Sequence, residues 1–192
     1  LFKPFNLVDG VFVNNYVSHK SSFKDFWKWR RESSKPEPIS FPIVENDPEY
    51  LKSNKSEKTI TWIGHSTFLL QIDGINILTD PHFTKRASPL SFMGPARTTP
   101  PGLKIEELPF IDFVLISHNH YDHLDSKTIQ LLLKKQNVNQ PTFFVPLKLK
   151  DILSKLGARN VMEHEWWQMT QFKNLEIHSV PVQHWSKRTF ND

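Results

Sequence analysis

The segment His118-Asn-His120-Tyr-Asp122-His123 follows directly on a short apolar run at 113–117 (FVLIS). A run of that length and composition reads as a buried strand. The chain leaving it sets four metal-ligand side chains on six consecutive residues. His118 and His120 are two apart in extended backbone, so their rings point the same way and can grip one ion from one side. Asp122 and His123 turn away and can serve a second ion beside the first. A His-rich surface loop without a ligand role is a poor reading, because unpaired, clustered imidazoles and carboxylates have little reason to sit at the mouth of an apolar strand. The chain has no cysteine, so any ion must be held by imidazole and carboxylate. That donor set suits zinc but leaves iron and manganese open.

Three further residues fall into place around this cluster. His184 stands just past an apolar strand pattern at 175–182 and would complete a three-histidine set with His118 and His120. Asp80 ends the strand Ile75–Thr79, where a carboxylate can accept the free N–H of a ligand imidazole; a plain turn carboxylate before Pro81 is the alternative. His65 follows Gly64 at a tight strand junction and reads as structural or supporting, not as a ligand. His19, His82, His164 and His178 carry no supporting pattern and read as ordinary histidines.

The surrounding pattern alternates strands and helices, which is an α/β arrangement. Strands are expected at Thr59–Gly64, 66–73, Ile75–Thr79, 113–117, 142–145, a short stretch from Val161, and 175–182. Asp73-Gly74 is a hairpin turn signal. A helix capped by Asp125 or Ser126 should turn Ile129, Leu132 and Leu133 inward, and a second over 147–156 should close on Gly157. A long connection from Asp80-Pro81 to Pro109 has no evident structure, which is usual for a segment wrapped around a site. Residues 1–57 read as an aromatic and basic extension, with a helical pattern at 21–32 (Phe23, Phe26, Trp27, Arg30) and a Pro-rich strap at 33–48. Residues 58–192 read as the catalytic-type domain. Hydrophobic residues make up 38% of the chain, enough to bury a core, and the net charge of +4 permits an anionic substrate or membrane surface without demanding either. No run of 18 apolar residues occurs.

Several motifs in one order carry a family resemblance: Thr61-Trp-Ile-Gly-His65-Ser-Thr, Leu78-Thr-Asp80-Pro, Arg86-Ala-Ser-Pro89, Met93-Gly-Pro, Val114-Leu-Ile-Ser-His118-Asn-His-Tyr-Asp-His-Leu-Asp125, Phe144-Val-Pro-Leu147, Trp166-Trp167 and Gln183-His184-Trp-Ser-Lys-Arg-Thr189. Together they resemble the metallo-β-lactamase-fold hydrolases, and within them the N-acyl-phosphatidylethanolamine-hydrolysing phospholipase D family. The likeness covers about residues 59–192, and more faintly Asp25-Phe-Trp-Lys-Trp. It implies an αββα sandwich with a two-metal site at one sheet edge. It places His118, His120 and His184 on a first zinc and Asp122 and His123 on a second, with Asp122 also orienting the nucleophile. The family's later bridging Asp and later His are not in these 192 residues. The resemblance therefore implies the N-terminal half of the sandwich, with the second half incomplete.

The implied activity is zinc-dependent phosphodiester hydrolysis by metal-bound hydroxide. On N-acyl-phosphatidylethanolamine it would yield an N-acylethanolamine and phosphatidic acid. The alternative is a truncated, inactive or single-zinc half-domain that only binds metal or assembles with another chain. A phospholipid or other phosphodiester substrate is the expected partner. Trp27 and Trp29 would meet a membrane surface, although packing of these aromatics on the domain is the plainer reading. Basic residues are scattered, so no nucleic-acid partner is expected. An exposed inner sheet face would favour a homodimer. A cytoplasmic or peripheral-membrane location is expected.

Overall fold

The computed structural model describes residues 7, 8, 10–13, 22–34, 37, 39, 42–182, 184, 185 and 188. Phe2, Phe5, His19, Gln183 and Thr189 lie outside the described residues.

Near the start of the chain, β1 (Leu7–Val8) and β2 (Val11–Phe12) form a small antiparallel hairpin. Helix α1 (Phe23–Glu32) is closed by a capping box, in which Ser22 Oγ accepts from Asp25 N–H and the Asp25 carboxylate accepts from Ser22 N–H. None of its residues is buried. The stretch read from sequence as a strap leads into a short helix, α2 (Pro48–Ser53), capped by Asp47 with Pro at its first position. Leu51 of α2 is buried in the main core, and Asn46 Nδ2 donates to Gly102 O at 2.8 Å. The packed body thus takes in residues from about 46 onward.

The centre of the fold is a mixed sheet of six strands in chain order: β3 (Thr59–Gly64), β4 (Thr67–Ile72), β5 (Ile75–Thr79), β6 (Phe113–Leu115), β7 (Thr142–Pro146) and β8 (Val161–His164). The first three pair antiparallel and the last four parallel. Asp73, in the left-handed region at φ 50°, and Gly74 make the β4–β5 turn. The parallel strands need crossovers. One is the long 80–112 connection, which includes a 3₁₀ turn at Ile105–Glu107; the other two are α3 (Ser126–Lys135) and α4 (Lys150–Lys155).

Alternation along the strands splits the core in two. On the helical face Ile63, Leu69, Leu78, Val114, Phe143 and Val145 pack with Ile129, Leu132, Leu133 and Leu153 from α3 and α4. On the other face Ile77, Phe113 and Phe144 meet a separate hairpin, β9 (Met169–Phe172) and β10 (Leu175–His178). Phe172 packs edge-on against Phe113, ring centroids 4.9 Å apart, and Phe144, 5.7 Å apart. The hairpin covers only part of this face: Ile60 and Trp62 on β3 remain exposed.

Three sequence expectations shift. Strand β10 ends at His178 and not at Val182. Helix α4 begins at Lys150 because Lys148, at φ 71°, leaves the helical region. Strand β9 is absent from the sequence reading, since its turn uses Lys173, at φ 53°, where a glycine would have signalled a hairpin. Among the described residues no helix is long and apolar enough to cross a membrane.

Candidate metal centre

The site forms where β5 and β6 deliver the chain to one edge of the sheet. Asp80 N donates to Leu115 O at 2.8 Å, which joins the two strand ends. Asp80 takes a left-handed backbone, φ 35°, and is buried. Its carboxylate accepts from Ser117 N and Ser117 Oγ, both at 2.7 Å, and meets His123 Nδ1 at 2.8 Å. A non-glycine residue in that region costs about 1 kcal/mol or more, which these three contacts offset.

The loop after β6 then turns tightly, with His123 N and Leu124 N both donating to His120 O. Asp125 caps α3 and also accepts from Thr84 and Thr128 side chains, tying the long 80–112 connection to the loop. Two groups of donors result. His118, His120 and His184 bring one ligand atom each within 4.8 Å of one another, and so do His65, Asp122 and His123. In the first group His118 Nε2 lies 2.9 Å from His120 Nδ1, and His184 Nε2 lies 3.3 Å from that same atom. In the second His65 Nε2 lies 2.9 Å and His123 Nε2 3.7 Å from Asp122 Oδ2. The groups abut: the His118 and His123 rings are 4.1 Å apart, centre to centre.

The donor chemistry fits cations. Ser117 Oγ donates to Asp80, so it accepts from His118 Nδ1 at 2.8 Å. That leaves His118 Nε2 with a bare lone pair facing the other imidazoles. Asp80 likewise holds the proton on His123 Nδ1 and leaves Nε2 bare toward Asp122 and His65, the carboxylate–histidine arrangement common around bound metals. A bare nitrogen on each of these rings, converging with the neighbouring donors, is what a bound cation requires. Burial, reinforced by the neighbouring His123, His120 and His184, lowers the His118 pKa to about 4. Burial and the proximity of His184 lower His120 as well. For His123 burial acts downward, but the Asp80 hydrogen bond and the charges of Asp80 and Asp122 outweigh it and leave the pKa raised. For Asp122 burial acts upward, but a hydrogen bond from its own backbone N–H, together with the charges of His123, His65 and His120, outweighs it and lowers the pKa, so the carboxylate stays ionised.

All the residues singled out from sequence sit within this region. Asp80 is the buried carboxylate behind both groups. His65, read as a supporting residue, has its ring nitrogen in the second group. It occupies the β3–β4 junction at φ 52°, and a register shift between Trp62 and Gly64 re-aims it toward the loop. Gly64-His65-Ser66 was the available signal. Ser117 was missed; its small hydroxyl relays Asp80 to His118. His82 is buried, with Nδ1 3.2 Å from Arg97 Nη2, and burial and that cation lower its pKa. His164 at the end of β8 meets Thr170 Oγ1 at 2.9 Å and links hairpin to sheet.

A family model described as the β-lactamase superfamily domain matches residues 75–192. This chain belongs to that family. The fold is similar to that of CmlA, a diiron β-hydroxylase from Streptomyces venezuelae, with a TM-score of 0.50 and 24% identity over 68% of this chain and 25% of that one. An uncharacterised protein of Mycobacterium tuberculosis is 38% identical over 191 residues, 95% of this chain and 50% of its own length. The N-acyl-phosphatidylethanolamine-hydrolysing phospholipase D 1 of Caenorhabditis elegans is 39% identical over 142 residues, 69% of this chain and 39% of its own. The mitochondrial enzyme of the same name from Saccharomyces cerevisiae is 37% identical over 136 residues, 69% of this chain and 28% of its own. The chain spans about half the length of the mycobacterial relative it matches. Relatives within the superfamily include metal-dependent hydrolases, so the family is one of enzymes that work with a metal ion.

Proposed function

We propose that this chain carries the metal-binding part of a zinc-dependent phosphodiesterase acting on phospholipids of the N-acyl-phosphatidylethanolamine type. The observation that carries the reading is the pair of abutting three-donor groups on one sheet edge. In this reading His118, His120 and His184 hold one ion, and His65, Asp122 and His123 hold a second. Two adjacent ions there would supply Lewis acidity and a water of lowered pKa, a pairing suited to in-line displacement at phosphorus. Asp122, ionised beside His65 and His123, would help hold the second ion and orient the attacking water. Asp80 keeps His123, and through Ser117 also His118, in the tautomer that presents a bare nitrogen. The phospholipase D relatives support the substrate class.

Helix α1 supports an encounter at a lipid surface. Phe23, Phe26, Trp27 and Trp29 are exposed and in mutual ring contact, and Arg30 and Arg31 lie in the last turn. Aromatic rings beside basic side chains suit the interface of an anionic bilayer.

The test is metal content per chain after purification without chelator, together with release of N-acylethanolamine from vesicles containing N-acyl-phosphatidylethanolamine. Two zinc ions per chain, with hydrolysis lost on chelation and restored by zinc, is the expected result. One ion and no hydrolysis would identify a single-zinc, non-hydrolytic half-domain. No metal in a folded chain would overturn the reading altogether.

A further inference from the structure

Four residues beyond His184 in the chain, the guanidinium of Arg188 reaches into the loop that bears the other donors. Its Nη1 donates to the carbonyl oxygens of Asn119 and Leu124, both at 2.8 Å, and its Nη2 donates to Ser126 Oγ at 2.7 Å. The guanidinium lies 4.3 Å over the Tyr121 ring, and the Tyr121 hydroxyl donates to Arg188 O at 2.9 Å. Each of these hydrogen bonds joins residues 62 to 69 apart in sequence. The loop carbonyls belong to residues interleaved with or flanking the ligand side chains, so the clip grips main chain and leaves the donors free.

His184 needs such a clip. It is exposed and lies beyond the end of β10. Its ring meets His118 and His120 edge-on, with centroids 4.6 and 5.1 Å apart, its Nε2 lies 3.3 Å from His120 Nδ1, and Trp185 packs on His120, so every one of these contacts is with the donors themselves. We propose that Arg188 is a positioning residue for the three-histidine group: it fastens the segment bearing His184 to the 118–126 loop and so delivers the third donor to the first two. Four residues of chain span at most about 14 Å, so pinning Arg188 confines His184 near its partners and raises its effective concentration there. The planar fork explains why arginine serves. It bonds two carbonyls and a hydroxyl while stacking on an aromatic face, which a lysine ammonium cannot reproduce.

The inference rests on the metal-centre reading and is tested with and without metal. Zinc affinity would be measured for Arg188→Met in two backgrounds: Asp122→Asn, which cripples the second group, and His120→Ala, which cripples the first. A loss of about 10- to 100-fold is expected in the first background, the range for supports of metal ligands, with little change in the second. Arg188→Lys should not restore affinity. Tyr121→Phe, which removes a single hydroxyl and preserves the fold, should weaken zinc at the three-histidine group in the same direction by a smaller factor. In the metal-free chain, hydrogen exchange of the peptide carrying His184 and Trp185 should rise in Arg188→Met while β5 to β7 stay protected. Unchanged exchange, unchanged zinc affinity in the Asp122→Asn background, or equal losses at both groups would overturn the proposal. If the wild-type chain takes up no zinc, the metal-centre reading falls, and the exchange measurement still decides whether Arg188 is the clip.

Discussion

Replacing Asp80 separates the support of the site from the support of the fold. The carboxylate receives Ser117 N and Ser117 Oγ at 2.7 Å and His123 Nδ1 at 2.8 Å, and Asp80 is buried. Asp80→Ala leaves the Ser117 N–H and the His123 ring N–H without acceptors. At about 1–3 kcal/mol for each unsatisfied buried group, the loss is about 2–6 kcal/mol. For a chain of this size that lowers the melting temperature by roughly 4–24 °C. Asp80→Asn is the sharper perturbation. Its amide oxygen can still accept from Ser117 N, and its NH₂ can donate to Ser117 Oγ or to a bare His123 Nδ1. The fold should lose only about 1 kcal/mol, the scale of one net hydrogen bond. The tautomer of His123 then reverses: the proton moves to Nε2, the atom that faces Asp122 and His65, and a protonated nitrogen binds no metal. Zinc affinity should fall about 10- to 100-fold in a variant that melts close to wild type. Thermal melts of metal-free protein and a competitive zinc titration read the two effects separately. Wild-type zinc affinity in a folded Asp80→Asn variant would refute the tautomer argument and reduce Asp80 to a turn residue.

Two further outcomes follow from the site. His65→Ala should weaken metal at the Asp122–His123 group and leave the three-histidine group intact, as read by zinc stoichiometry under limiting chelator; two tightly bound ions in that variant would remove His65 from the donor set. The metal-free chain should lose stability as pH falls from about 6.5 toward 4. Over that window His118, with its pKa lowered to about 4, binds fewer protons folded than unfolded, and His120 adds in the same direction. The raised pKa of His123 acts oppositely, its contribution being full below the unfolded value and lost as pH rises through the folded one. Denaturant midpoints between pH 4 and 7 check the slope, and a midpoint that rises on acidification would contradict it.

The sheet was legible in sequence where periodicity and turn chemistry agreed. Thr59–Gly64 and Ile75–Thr79 end where expected because Gly64 and Asp80 break the extended backbone at both places. The 118–123 cluster was legible because ligand spacing in a loop after a strand is local information. His65 was read as a support because its approach to Asp122 is set by a register shift between β3 and β4, which no spacing along the chain encodes. Ser117 and Arg188 escaped notice for a related reason. Both act through residues far away in sequence, Asp80 in one case and Asn119 with Leu124 in the other. The α2 helix went unread just past the Pro-rich stretch at 33–48, although Asp47-Pro48 is a proper helix opening.

Two of the six donors come from distant stretches of chain: His65 meets His123 across 58 residues and His184 meets His120 across 64. The entropy of closing such loops must be met before either group is complete, which predicts that the centre closes after the sheet that carries it. A bound ion would then act on the exit side of the folding barrier. It would slow unfolding and leave the rate of folding nearly untouched, serving as a latch on a finished sheet and lengthening the life of each folded molecule.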